Sequence, residues 1–287
     1  MEKNPFSLFD FLGYFIPGAF GLFLFYFLQN NAGLEYYFEV DNIKNLNTDI
    51  SFLYITFFVI LSYTLGHILS FLSTLTIENF AVWMLGYPSK NLLGIYGTEK
   101  YFEKKYKNLN INKKATYLSY SLRFLLFIFL APISFLSITI GEVLDLNNSV
   151  YKKSLKEPYI SLIKTKIEGL FRGLDNNLQI DLIKHDYNKL LIHHSYNINV
   201  PHQPKLMNYV SLYGFLRVIS FLLNLLSIFM LLKIFLFNEN LNINIFEEFN
   251  IESIILFISS FLTYITYLGY LKFYRRYTQE NLMILLL

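Results

Sequence analysis

Long apolar runs alternate with short polar ones along this chain. Four windows, Phe11–Leu28, Phe52–Ile77, Tyr209–Phe237 and Ile254–Leu271, are nearly free of charge. A helix of about 20 apolar residues crosses a bilayer, so each window predicts a transmembrane helix once interfacial residues are counted. A fifth window, Leu118–Ile140, carries Arg123 near its start and Pro132 in its middle. Proline breaks the helical hydrogen-bond ladder, so this window predicts a re-entrant or interfacial segment bent at Pro132, or the core helix of a cytoplasmic module. The expected fold class is all-α. It comprises four transmembrane helices, this extra apolar segment and a small helical cytoplasmic module.

Basic residues set the expected orientation. The segment 29–51 has one base, Lys44, against Glu35, Glu39, Asp41 and Asp49, and 238–253 has none against four glutamates. By contrast, Lys90, Lys100, Lys104, Lys105, Lys107, Lys113 and Lys114 follow the second window, and residues 142–208 add eight lysines and Arg172. The tail carries Lys272, Arg275 and Arg276. Lysine and arginine concentrate on cytoplasmic loops, so both termini and the middle segment are expected in the cytoplasm. A crossing at 118–140 would put a large share of these bases on the wrong side. Three regions result: 1–77 with two spans, 78–208 as the cytoplasmic helical module including 118–140, and 209–287 with two spans and a basic tail. No small-residue cleavage site follows Phe11–Leu28, which is expected to be retained.

Within the module, GYPSKNLLGIYG reads as a turn-rich exit from the second span, and residues 98–117 are lysine-rich and helix-compatible. Ile160, Ile163, Ile167, Leu170, Phe171 and Leu174 recur at helical spacing after Pro158 and predict an amphipathic helix. A second helix is predicted over 179–192, followed by a linker, HHSYNINVPHQPK, into the third span.

Polar residues inside the spans are the candidate functional groups. Arg217, Ser220, Asn224 and Ser227 are spaced 3, 4 and 3 apart and share one helical face, extended by Gly214. Arg217 is expected to snorkel to phosphate headgroups. Asn224 lies too deep for that and needs a partner on another helix or in water, so the stripe either packs helices or lines a conduit. Ser62, Gly66 and Ser70 form a small-residue stripe for close helix packing, bordered by His67 and Ser73. His67 is a candidate intramembrane proton or hydrogen-bond site if buried. Gly13, Pro17, Gly18 and Gly21 predict a kink and close packing in the first span, and Ser259, Thr263 and Thr266 a helix contact in the fourth.

Composition agrees with this class: 54% of residues are hydrophobic and 16% charged, with a mean hydropathy of +0.39, where soluble domains are about a quarter charged. Cysteine is absent, which removes disulfides, zinc-thiolate sites and thiol nucleophiles. His185, His193, His194 and His202 cluster near Asp181 and Asp186 but lack metal-ligand spacing and read as polar linker residues. Nucleotide-binding and nucleophile-elbow motifs are missing, so no catalytic residue, cofactor, metal or nucleic-acid partner is expected. Glu78 reads as an interfacial residue.

The strings NYVSLYGFLR (208–217), GHILSFLS (66–73) and KFYRRYTQENL (272–282) resemble those of a family of bacterial multi-pass inner-membrane proteins. That resemblance implies a bacterial inner-membrane setting and carries no activity. The functional expectation is a self-associating protein that perturbs or permeabilises the membrane, gated by its cytoplasmic helices, as in a defence or stress effector. The alternatives are a small transporter or channel component, or a non-catalytic scaffold recruiting a cytoplasmic partner. Expected partners are the lipid bilayer, further copies of the chain and a possible cytoplasmic protein.

Overall fold

The computed structural model describes residues 10–31, 48–95, 113–173, 187–198, 203–236 and 251–286. The described residues are helical and contain no strand, and four helical stretches are long and apolar enough to cross a membrane: Phe11–Gln29, Phe52–Leu92, Gln203–Phe235 and Glu252–Ile284. The chain is an all-α membrane protein.

A π-helical turn, Phe11–Phe15, opens the first span and leads into α1, Ile16–Asn31. Pro17 has no N–H to return to the preceding turn, and here the Ile16 N–H reaches back five residues to the Phe11 carbonyl. Thus the predicted proline kink takes the form of a local π register. The second span is α2, Thr48–Ser73, a π-turn, Thr74–Glu78, and α3, Asn79–Leu85. The expected turn-rich exit holds a short helix, α4, Pro88–Leu92, between Gly86 at φ +83° and Gly94 at φ +68°. Those backbone angles suit glycine, which has no Cβ to clash there.

Next come α5, Lys113–Phe129, α6, Ala131–Ile138, and α7, Ile140–Val143. Helix α8, Glu157–Arg172, is the predicted amphipathic helix and buries Ile160, Ile163 and Ile167. Helix α9 spans Asn188–Ile198, overlapping the expected helix at 188–192 and running beyond its end. His193 and His194 are therefore helical, and the chain stays helical almost to Pro201, which disfavours helix in the residue before it. Residues 179–186, including Asp181, His185 and Asp186, lie outside the described residues, as does His202. The last two spans, α10, Gln203–Leu236, and α11, Ile251–Ile284, are 34 residues each and extend well past their apolar windows.

Helices α10 and α11 form a long antiparallel pair at the centre. Lys205 bonds Glu280 at 2.9 Å near one end and Lys233 bonds Glu252 at 2.7 Å near the other. The main core, with Phe80, Val218, Phe221, Leu222, Tyr264, Tyr267 and Tyr270, joins α10 and α11 to α1, α3 and α6. A separate small core assembles Leu92, Leu93, Ile163, Ile167, Tyr187, Leu191, Leu282 and Leu285 at the Lys205–Glu280 end. We call this the module end.

Helix α1 crosses α2 at a close contact. A Cβ on Gly18 would lie 1.7 Å from the Ser62 carbonyl oxygen, and one on Gly66 would lie 1.9 Å from that of Tyr14. No side chain larger than hydrogen fits either place, so Gly18 and Gly66 set the distance between the two backbones. Beyond the crossing the helices part, and Phe52–Leu61 of α2 is exposed at every position.

Candidate functional site: a charge pair inside the apolar bundle

Arg217 lies among apolar residues of α10 and is 8% exposed. Its guanidinium does not snorkel. Nη1 forms an ion pair with the Glu78 carboxylate, Nε donates to Ser73 Oγ at 3.2 Å, and Nη2 approaches Ser70 Oγ at 3.4 Å. Turning inward keeps the charge beside an opposite charge, which outweighs reaching for water because Glu78 is close and itself only a quarter exposed. Glu78 is thus the half-buried partner of Arg217. The two residues are 139 apart in sequence.

Three π-helical turns occur among the described residues, and each contributes a residue to this cluster. Phe11–Phe15 supplies Tyr14, Thr74–Glu78 supplies Glu78, and Asn148–Lys152 supplies Tyr151. A π-turn inserts one residue into a helix and re-aims the side chains around it, which is why such turns gather at functional places. Tyr14 is within electrostatic reach of Arg217, and Tyr151, Tyr213, Tyr270 and Tyr274 are within reach of Glu78. Tyr213 packs against Tyr274 at 5.4 Å and Tyr277 at 5.8 Å, and Tyr270 stacks on Tyr274 at 5.7 Å. Burial holds the Tyr151 hydroxyl well above its usual pKa. It stays protonated and donates to the Gly86 carbonyl at 3.0 Å, tying the chain after α7 to the exit of α3.

The other stripe residues also find partners inside the chain. Ser220 Oγ donates to the Thr263 carbonyl at 3.1 Å, and Ser227 Oγ meets Ser259 Oγ at 2.9 Å. Asn224, fully buried, donates from Nδ2 to the Phe129 carbonyl at 3.0 Å. Phe129 lies at the break between α5 and α6, where the chain turns by 87°. Spacing alone placed these four residues on one face; only the fold shows that the face looks at α2, α5 and α11 at once.

Of the small-residue stripe, Ser62 and Gly66 pack against α1 while Ser70 turns toward Arg217. His67 is exposed rather than buried. Its ring stacks on Tyr14 at 3.8 Å and meets Tyr63 edge-on at 4.7 Å. Helical phase explains the difference: neighbouring Gly66 takes the contact with α1 and leaves His67 on the rim. Ser259 and Thr263 are buried toward α10, and Thr266 bonds back to its own helix at Leu262. Arg123, an awkward residue for an apolar window, is buried with its guanidinium 5.0 Å over the Trp83 ring.

The cluster can hold charge and fix helices. Among the described residues no three His, Asp or Glu converge as a metal site. The signal that could have found it is the presence of two lone opposite charges, each flanked by apolar sequence on a different span. No family model matches the chain, and comparison with curated proteins and with solved structures gives no match either.

Proposed function

We propose that the protein is a non-catalytic membrane scaffold that holds the α4–α8–α9 module at the surface of a bacterial inner membrane to engage a cytoplasmic partner. The lysine and arginine distribution supports placing that module and both termini on the cytoplasmic side. One observation carries the reading: all four residues of the polar stripe, Arg217, Ser220, Asn224 and Ser227, are bonded within their own chain, to Glu78, Ser73, Thr263, Phe129 and Ser259. A conduit lined by this stripe would have to break those bonds. The module supplies a separate core and the basic, exposed side chains of Lys166 and Arg172 on α8, suited to an acidic protein surface or anionic lipid.

A second reading, the self-associating permeabiliser, draws on a different observation. Phe52–Leu61 is exposed all round and is open to a neighbouring copy. Reconstitution into planar bilayers separates the two, with the Asn224→Leu variant beside the parent chain. The scaffold reading expects no conductance from either, an altered stability of Asn224→Leu, and a stoichiometric second protein retained by the parent chain from native membranes. Conductance by the parent chain that disappears in an intact, assembled Asn224→Leu variant would overturn it.

A further inference from the structure

The segment α5–α6–α7 is built polar inside and apolar outside. Its inward positions include Arg123, Ser134, Ser137 and Asn147, all buried. Ser137 and Asn147 bond each other, with Asn147 Nδ2 3.1 Å from Ser137 Oγ. Its exposed positions include Leu122, Phe124, Leu125, Ile128, Phe135 and Val143, all large and apolar. A hairpin lying in water places its polar residues outward, because exposed apolar surface costs about 25 cal/mol per Å². This one has the reverse pattern.

Both ends of the segment lie at the module end. Phe127 sits beside Phe80 at 6.4 Å and Arg123 over Trp83, so α5 runs antiparallel to α3 and begins where α3 exits. On the return, Arg275 Nη2 donates to the Lys153 carbonyl at 2.7 Å and the Leu155 N–H donates to the Leu92 carbonyl at 3.0 Å. Between these ends the chain reaches the depth of Asn224 and turns back.

The break at the tip is sealed by protein groups. Pro132 brings no N–H to the turn. Ser134 Oγ donates to the Phe127 carbonyl at 3.1 Å, the Ser134 N–H to the Leu130 carbonyl at 2.8 Å, and Asn224 to the Phe129 carbonyl. Broken helices persist within lipid only when their freed backbone groups are satisfied from within the protein. In water the solvent would serve, and a buried asparagine on a neighbouring helix would not be needed.

We infer that α5–α7 is a re-entrant hairpin whose outer face contacts the acyl chains of the module-side leaflet, continuous with the apolar faces of the four spans. Glu142 and Asp145, exposed on the return limb, interrupt this apolar face. The assignment holds whichever function the bundle serves.

The chain lacks cysteine, so single-cysteine variants report without background. Leu125→Cys, Phe135→Cys, Lys113→Cys, Lys153→Cys and Lys166→Cys would be treated with a membrane-impermeant maleimide in right-side-out and inverted vesicles. A lipid-sensitive fluorophore attached at 125 and 135 would then be quenched with nitroxide-bearing lipid. The expected result is loss of maleimide labelling at 125 and 135 from both faces, strong quenching at both, and labelling of 113, 153 and 166 from one common face. Labelling of 113 and 153 from opposite faces would make the segment a fifth crossing and overturn the inference. Ready aqueous labelling at 125 and 135 without quenching would overturn it as well.

Discussion

The two halves of α2 are sequences of the same kind in opposite circumstances. From Ser62 to Ser73 the helix meets α1 at Gly66 and α10 through Ser70 and Ser73. From Phe52 to Leu61 every position is exposed. The contrast shows where the bundle draws its cohesion. Lipid solvates an apolar side chain about as well as another helix does, so an apolar surface alone gives little reason to associate. Close backbone approach and satisfied polar groups supply the drive, and on α2 both lie in the module-side half.

Four substitutions would break or sharpen that contrast. The largest effect is expected from Glu78→Ala, which strands the buried Arg217 charge. It should cost about 3 kcal/mol, at the low end for a broken buried pair because Glu78 is partly exposed. Unfolding in mixed detergent–SDS micelles, followed by circular dichroism, measures it. The double variant Glu78→Leu with Arg217→Leu should recover most of the loss, since buried pairs often give way to apolar residues at little cost. A double variant as unstable as the single one would mean that the charge itself is not what matters.

Gly18→Leu comes next. With a Ser62 carbonyl 1.7 Å from any Cβ, α1 must move away, at about 1–3 kcal/mol for overpacking. Proteolysis in detergent should then cut between α1 and α2 faster than in the parent chain. Asn224→Leu should cost about 1 kcal/mol, the scale of an interhelical hydrogen bond in a membrane protein. Its Oδ1 has no partner, so removing it returns part of that cost. The same unfolding assay reads it, and increased labelling of a Phe135→Cys reporter would show the α5–α6 tip coming loose. Least of all, Phe57→Ala on the exposed half of α2 should fall within about 0.5 kcal/mol. A loss well above that, dependent on protein concentration, would reveal a neighbouring copy covering this half.

Much of the architecture was legible in the sequence. The four spans follow from charge-free length and the core face of α8 from Ile160, Ile163 and Ile167, while Gly18 and the Ser62–Gly66 stripe marked close packing without saying that they pack on each other. What stayed hidden depends on helix phase and long-range pairing. The 139 residues between Glu78 and Arg217 leave no local trace of their pairing. A π-turn is a one-residue insertion with no composition of its own, so Thr74–Glu78 looks like a continuation of α2. His67 and Gly66 are neighbours in a small-residue stretch, and only the placement of α1 decides which of them is covered. Helix α9 misled because histidine and asparagine before Pro201 look like a linker.

The two lysine–glutamate bridges on α10 and α11 have a further consequence. They are 28 residues apart along each helix, or about 42 Å at the rise of an α-helix. A bilayer with its headgroups is about 40–45 Å thick. The pair therefore behaves as a strut of fixed length, pinned by charge at both ends and too tightly packed to shorten. A thinner bilayer must stretch around it or let it tilt, and a tilt would carry the module with it. Membrane thickness would then set the angle at which the module faces its surroundings.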